Sequence, residues 1–285
     1  MAQVVAKYIW KRLRPEDVKE KPAINVCDMH VDKTFIPAWP APVGGEWFEM
    51  EAVANLTPAP GEHEGTISCT FRKPDDPKLK DYAGCTVKYQ HAAMWQKEWS
   101  RYEHIIAGRI QHLLTRARVE ASGNIRVVQR EQAYERFKTF VDYSIPEYQN
   151  MREAVMDYEN LEATAALQFR LDPARGEYAG GAYYMDGSCH LSGWVCNESD
   201  ADMKKNAYIS HGWGAMKLSP EFDPACRPEA EYRSYVRMVV KGEKQDVLGG
   251  DVFILEGDRI VGVWGGVEFK RIPRRVLNVF LPPRK

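Results

Sequence analysis

Apolar residues open the chain at helical spacing. Val4, Val5, Tyr8, Ile9 and Leu13 fall about three or four positions apart and Pro15 closes the run, which predicts an amphipathic helix over Ala2–Arg14 with one buried face. The period then shortens. Ile24–Phe35, Trp47–Leu56, Thr66–Arg72 and Ala83–Tyr89 are strand-like runs separated by Pro, Gly and Asp. Helical spacing returns between Trp95 and Arg118, through Trp95, Trp99, Ile105, Ile106, Ile110 and Leu113, as a segment crossing between two units. After a mixed stretch from Asn124 to Asp186, which holds pieces of its own such as Ala163–Leu171 and Tyr178–Met185, the opening order recurs. A helix over Gly187–Ser199 precedes strands Ala207–Leu218, Tyr232–Val240, Asp251–Glu256 and Arg259–Lys270, the last two joined by a tight Gly257-Asp258 turn.

One helix followed by several antiparallel strands, twice, suits a sheet wrapped around a helix, because each strand run can bury one face on the helix's apolar stripe. The expected class is α+β, with one unit over residues 1–118 and a second over 119–285. If the halves are equivalent, the long stretch before the second helix has no counterpart before the first. The first unit is then expected to lack its initial strand and to present a sheet edge and uncovered apolar surface. The alternative is a first unit that manages with fewer strands.

Composition changes this picture little. The 285 residues are 44% hydrophobic, 28% charged and 11% aromatic, as in a folded globular chain. Lys and Arg total 39 against 40 acidic residues, so no global field draws the chain to nucleic acid or an anionic membrane. No apolar run approaches a membrane span and no secretory leader is visible, which reads as a cytoplasmic protein. Cys27, Cys69, Cys85, Cys189, Cys196 and Cys226 are scattered without a metal-binding or disulfide pattern, so reduced, buried thiols and no metal are expected.

The densest local chemistry is the run YYMDGSCHLSGW, in which Asp186 stands just before the second helix and His190 four residues later on the same face. The two can point into one pocket. An N-capping aspartate and a satisfied core histidine explain them as well. A second group, His211-Gly212-Trp213, lies on the following strand, where glycine beside tryptophan marks close backbone approach to a ligand or a neighbouring chain. His211 and Trp213 are candidates for the pocket wall and equally for structure.

These runs carry a family resemblance. YYMDGSCHLSGW, NAYISHGWGAMKLSP, YRSYVRMV, GDVFILEGDRIVGVWGGVEFKRIPRRVL and LPP resemble, in order, the second half of product template domains of fungal non-reducing polyketide synthases. VCDMHVDKTFI, EHEGTISCTFRK with CTVKY, and FVDYSIPEYQNMREAVMD extend the likeness upstream to essentially the whole chain. GGVEFKRIPRRVLNVFLPP is its most specific portion, whereas Asp-x-x-x-His is shared, as Asp-x-x-x-Gln/His, with dehydratases of the same fold.

The resemblance implies a double hot-dog fold, two antiparallel sheets each around a central helix, and regioselective aldol cyclisation and aromatisation of a poly-β-ketone. It implies no cofactor of the chain's own, a substrate on the phosphopantetheine arm of an acyl carrier protein, other synthase domains as partners, and a possible homodimer. Asp186 corresponds to the catalytic aspartate, with His190, His211 and Trp213 at the substrate pocket. The family's catalytic histidine lies before the first helix in a Gly-His pattern followed by Pro-Ser, which is not found here. His30 and His91 do not match it, so no catalytic histidine is assigned and little activity is expected of the chain by itself. A dehydratase of the same fold and a catalytically silent scaffold are the alternatives. The basic cluster Lys270, Arg271, Arg274 and Arg275 is a candidate docking surface for an acidic carrier protein.

Overall fold

The computed structural model describes residues 2–13, 23–31, 49–55, 66–72, 82–119, 123–169, 181–199, 204–244 and 246–280. Helix α1 (Ala2–Leu13) is followed by strands β1 (Ala23–Val31), β2 (Glu49–Asn55), β3 (Thr66–Arg72) and β4 (Ala83–Gln90). Helices α2 (Ala92–Trp99) and α3 (Glu103–Val119) come next, then β5 (Ile125–Gln129), α4 (Arg130–Phe137), a 3-10 turn at Pro146–Tyr148, β6 (Met151–Asp157) and β7 (Glu162–Leu167). The chain ends with α5 (Ala182–Glu198), β8 (Asn206–Leu218), β9 (Tyr232–Lys241), β10 (Val247–Glu256), β11 (Arg259–Pro273) and α6 (Arg274–Phe280).

The strands form one antiparallel sheet in the order β2-β3-β4-β1-β8-β11-β10-β9-β7-β6-β5. Its centre is the β1/β8 pair, in which Asn25 faces Lys217 and Met29 faces Trp213. Read outward from that pair, the two halves repeat. Each central helix is followed by a strand at the junction, and the three later strands run β4-β3-β2 on one side and β11-β10-β9 on the other. The two expected sheets are therefore joined edge to edge, which removes an exposed edge from each. The symmetry ends at the outer strands: β9 is flanked by β7, β6 and β5, whereas β2 has no outer neighbour among the described residues.

Both helices bury a stripe against the sheet. Ala6 and Trp10 of α1 are buried, the Trp10 ring lies 4.9 Å from Tyr89, and the Tyr89 hydroxyl donates to the Ala6 carbonyl at 2.6 Å. Helix α5 buries more, with Leu191, Trp194, Val195 and Cys196 all fully enclosed. The single crossing helix read over Trp95–Arg118 is two helices, broken at Ser100–Tyr102. Their apolar stripe, Trp95, Trp99, Ile106, Ile110 and Leu113, covers Ile125, Val155, Tyr235, Leu255 and Ile260 in the second half of the sheet. Two buried carboxylates clamp α3 there. Glu162 takes hydrogen bonds from Arg109 and the Tyr235 hydroxyl, and Asp157 pairs with Arg116 at 2.7 Å. Burial works to raise both carboxyls, but the hydrogen bonds they receive outweigh it and hold both below their ordinary values.

Candidate functional site

Helix α5 begins one turn earlier than the sequence suggests. Its N-cap is Gly181 at φ +67, so Asp186 lies inside the helix and caps nothing. Gly187 was expected to open the helix but serves a packing purpose. A Cβ there would sit 2.0 Å from the Asn150 amide nitrogen, which donates to the Tyr183 carbonyl at 2.9 Å and pins the first turn of α5 to the chain just before β6.

Inside a helix, residues four apart share a face, and His190 Nε2 lies 2.7 Å from Asp186 Oδ2. The two side chains meet water very differently, the imidazole at 2% and the carboxylate at 47% exposure. The buried ring is enclosed by residues that precede α5. Tyr143 packs on it with centroids 4.2 Å apart, Phe137 lies at 5.7 Å, and the Tyr134 hydroxyl is 3.2 Å from Nδ1. Tyr134 and Phe137 come from α4, whose buried positions Ala133, Tyr134 and Phe137 have helical spacing. That spacing is legible in the sequence, although nothing local to it identifies His190 as the partner. Burial, reinforced by the Asp186 charge, pushes the Tyr134 and Tyr143 phenols well above their ordinary values, which makes them hydrogen-bonding groups and not acids.

This geometry corrects the expected part of His190. Both of its ring nitrogens are engaged by protein groups and its side chain is enclosed, so it does not line an open pocket or reach a carbonyl outside it. It holds Asp186, whose Oδ1 takes no hydrogen bond among the described residues. His211 is exposed on β8, and no hydrogen bond or ring contact joins it to Asp186 or His190. Trp213 is half-buried. Its Nε1 donates to the Val26 carbonyl across the β8/β1 junction at 3.3 Å, and its ring meets Trp264 edge-on at 5.0 Å. Trp264 in turn donates to Ser188 Oγ at 2.9 Å, so Trp213 is tied to α5 two residues from Asp186. Gly212 beside it, at φ +147, has the Met29 carbonyl where a Cβ would go, 2.2 Å away, so the close approach is to strand β1.

No other histidine of the described residues reaches Asp186. The His30 ring lies over Gly84 with Nδ1 3.2 Å from the Asp28 carbonyl, and His91 precedes α2. No group of three His, Cys, Asp or Glu among the described residues could hold a metal. Burial pushes the Cys189 thiol up to about 12, so it is protonated and a poor nucleophile at neutral pH. Cavities of about 650 and 310 Å³ lie elsewhere, one over β5 and one between α3 and the ends of β6, β7 and β9.

No protein-family model matches the chain. Among curated proteins, it is 43% identical over its whole length to the non-reducing polyketide synthase PKS1 of Zymoseptoria tritici, and 38% identical over 99% of its length to the non-reducing polyketide synthase Preu8 of Preussia isomera. The chain is homologous to a segment of fungal non-reducing polyketide synthases. It spans 12% of the length of each of those relatives. Solved structures that resemble the chain include dehydratase domains. That of RzxB from Pseudomonas fluorescens superimposes with a TM-score of 0.58 at 12% identity, over 94% of this chain and 83% of that one. Two inactive variants of the CurK dehydratase, one with a histidine replaced by phenylalanine and one with an aspartate replaced by asparagine, match with TM-scores of 0.58 and 0.57 at 12% and 11% identity. Each covers 97% of this chain and is itself covered to 82%. The fold is the double hot-dog of polyketide synthase dehydratases. No helix among the described residues of the polyketide synthase segment is long and apolar enough to cross a membrane.

Proposed function

We propose that this segment is a product template domain, built as units over residues 1–118 and 119–285, and that Asp186 is its catalytic carboxylate. The observation that carries this reading is the position of Asp186: one carboxylate oxygen is fixed by a buried imidazole while the other takes no hydrogen bond among the described residues and the side chain is half-exposed. A fixed, accessible carboxylate orients a second imidazole by accepting from its N–H, and stabilises the imidazolium when that ring takes a proton. The second imidazole would be supplied by polypeptide outside the described residues, as the resemblance implies. Its task would be to remove an acidic proton between two carbonyls of a carrier-bound poly-β-ketone, after which the enolate carbon attacks a distant ketone and water leaves as the ring aromatises. Trp213 would form part of the wall that fixes the fold of the ketone chain. No cofactor of the segment's own is needed. The substrate would ride on the phosphopantetheine arm of an acyl carrier protein, and Lys270 and Arg275, both exposed, are left to meet an acidic partner, whereas Arg274 donates to the Thr139 carbonyl.

The test is Asp186→Asn in a full-length synthase that carries this segment, with the ketide product profile as the readout. The expected result is a loss of roughly 10²–10⁴-fold in the native aromatic product, replaced by products of spontaneous ring closure. An unchanged profile overturns the reading. The same enzyme given a β-hydroxyacyl thioester separates cyclase from dehydratase: loss of water there, with no effect on ring register, would place the segment with the dehydratases whose fold it has.

A further inference from the structure

The immobilisation of Asp186 depends on which nitrogen of His190 carries the proton, and the surroundings of the ring decide this. The Tyr134 hydroxyl oxygen accepts the Met151 amide N–H at 3.0 Å. It has one proton to give and two acceptors in reach, His190 Nδ1 at 3.2 Å and the Tyr148 carbonyl at 3.3 Å. A neutral His190 that donates from Nε2 to Asp186 leaves a lone pair on Nδ1, which only Tyr134 among the described residues can satisfy. The opposite tautomer could give its Nδ1–H to the second lone pair of the Tyr134 oxygen, but it would leave a bare Nε2 facing a carboxylate at 2.7 Å, two acceptors without a proton between them.

We propose that Tyr134 is a positioning residue that holds His190 in the Nε2–H tautomer, so that the imidazole fixes Asp186 by donating to one of its carboxylate oxygens. This rests on Asp186 being the functional carboxylate for its purpose, though not for its geometry. Tyr143 has a different part. It packs on the same ring, but no hydrogen bond runs from its hydroxyl to His190, so it confines the plane of the imidazole and does not select a tautomer. The groups that bear on the pair from neighbouring elements are Tyr134 and Arg130 of α4 and Tyr143 after it, with Cys189 on α5 itself.

The measurement is ¹⁵N NMR of the histidine rings in the labelled 285-residue chain, with the His190 signals assigned by their disappearance in His190→Gln. The expected spectrum shows a bare Nδ1 and a protonated Nε2 at neutral pH. Tyr134→Phe should shift the Nδ1 signal toward a mixture of protonation states, and Tyr143→Phe should leave it in place. A protonated Nδ1 in the unmodified chain overturns the proposal, as does a His190 signal that Tyr134→Phe does not move. If Tyr134→Phe does not fold, because Met151 has lost its acceptor, the spectrum of the unmodified chain decides by itself. The readout needs no substrate or turnover, so it succeeds or fails separately from the product profile of Asp186→Asn.

Discussion

The two halves of the sheet use the same order of elements, helix then four strands, yet they hold their central helices very differently. Helix α1 touches β1 and β4, and the half ends at β2, where Val53 is exposed. Helix α5 lies against β6, β7, β8, β9, β10 and β11, and the strands on its far side are in turn covered by α3. The extra layer comes entirely from the chain between the halves. That same stretch supplies Tyr134, Phe137 and Tyr143, which enclose His190 and so set Asp186. Among the described residues, the elements common to the two halves supply the scaffold, and the chain between β4 and α5 encloses the site. A carboxylate at the matching place on α1 would find no such cage among the described residues.

The largest expected effect separates the halves directly. Trp194→Ala empties a fully enclosed site under α5 and should cost about 3–5 kcal/mol, enough to threaten the fold. Trp10→Ala, at a site that is 8% exposed and in the half with the thinner cover among the described residues, should cost about half as much. Equal losses in urea melts of the two variants would mean that α1 is as deeply embedded as α5.

Next in size is the clamp on α3. Arg109→Met leaves Glu162 buried with the Tyr235 hydroxyl bond and the more distant Arg237 charge, an expected loss of about 2–3 kcal/mol once the partial exposure of the arginine is allowed for. The pH dependence has a definite sign. Glu162 and Asp157 are held below their ordinary values in the fold, so their contribution is complete above the unfolded carboxylate range of about 4 and is lost as pH falls through the lower folded values. Acid should therefore release α3 and the second half of the sheet, seen as early amide exchange in β5–β7, while α1 and β1–β4 lack this clamp. In Arg109→Met the acid transition should move to higher pH.

The sequence reveals the repeat well and the cage poorly, for a physical reason. Strands Thr66–Arg72 and Arg259–Lys270 announce themselves because alternation and turn residues are local signals. The pairing of Asp186 with His190 is local too, four residues on one helix. Tyr134 lies 56 residues from His190, and no period in the sequence links them; only the packing of α4 beneath α5 does. Gly187 misled for a related reason. A glycine reads as a helix boundary when its neighbour in space, Asn150, is invisible, and a cap is thereby one of the two readings open for Asp186. His211 attracts notice by its company, Gly212 and Trp213, both of which make close contacts across the β1/β8 junction.

Gly187 gives the next test, because it is where Asn150, just before β6, meets the first turns of α5. Gly187→Ala improves helix propensity by about 1 kcal/mol but drives a methyl into the Asn150 amide, so a net loss of roughly 1–2 kcal/mol is expected. Asn150→Ala in the same chain should restore much of it, at the cost of the Tyr183 hydrogen bond. If Gly187→Ala were instead stabilising, α5 would not be pinned to the start of β6 as described.

The smallest effect is expected at His211, and its smallness is informative. The side chain is exposed on β8 and bonded to nothing among the described residues, so His211→Ala should change stability by less than about 0.5 kcal/mol. His190→Ala, by contrast, removes an enclosed ring and strips Asp186 of its partner. Thermal melts of the two variants side by side measure how far the cage around one histidine sets it apart from another that the sequence presents as its equal. A His211→Ala loss approaching that of His190→Ala would mean that the β1/β8 junction carries an interaction as strong as the one built by the chain between β4 and α5, and the contrast between scaffold and site would not hold.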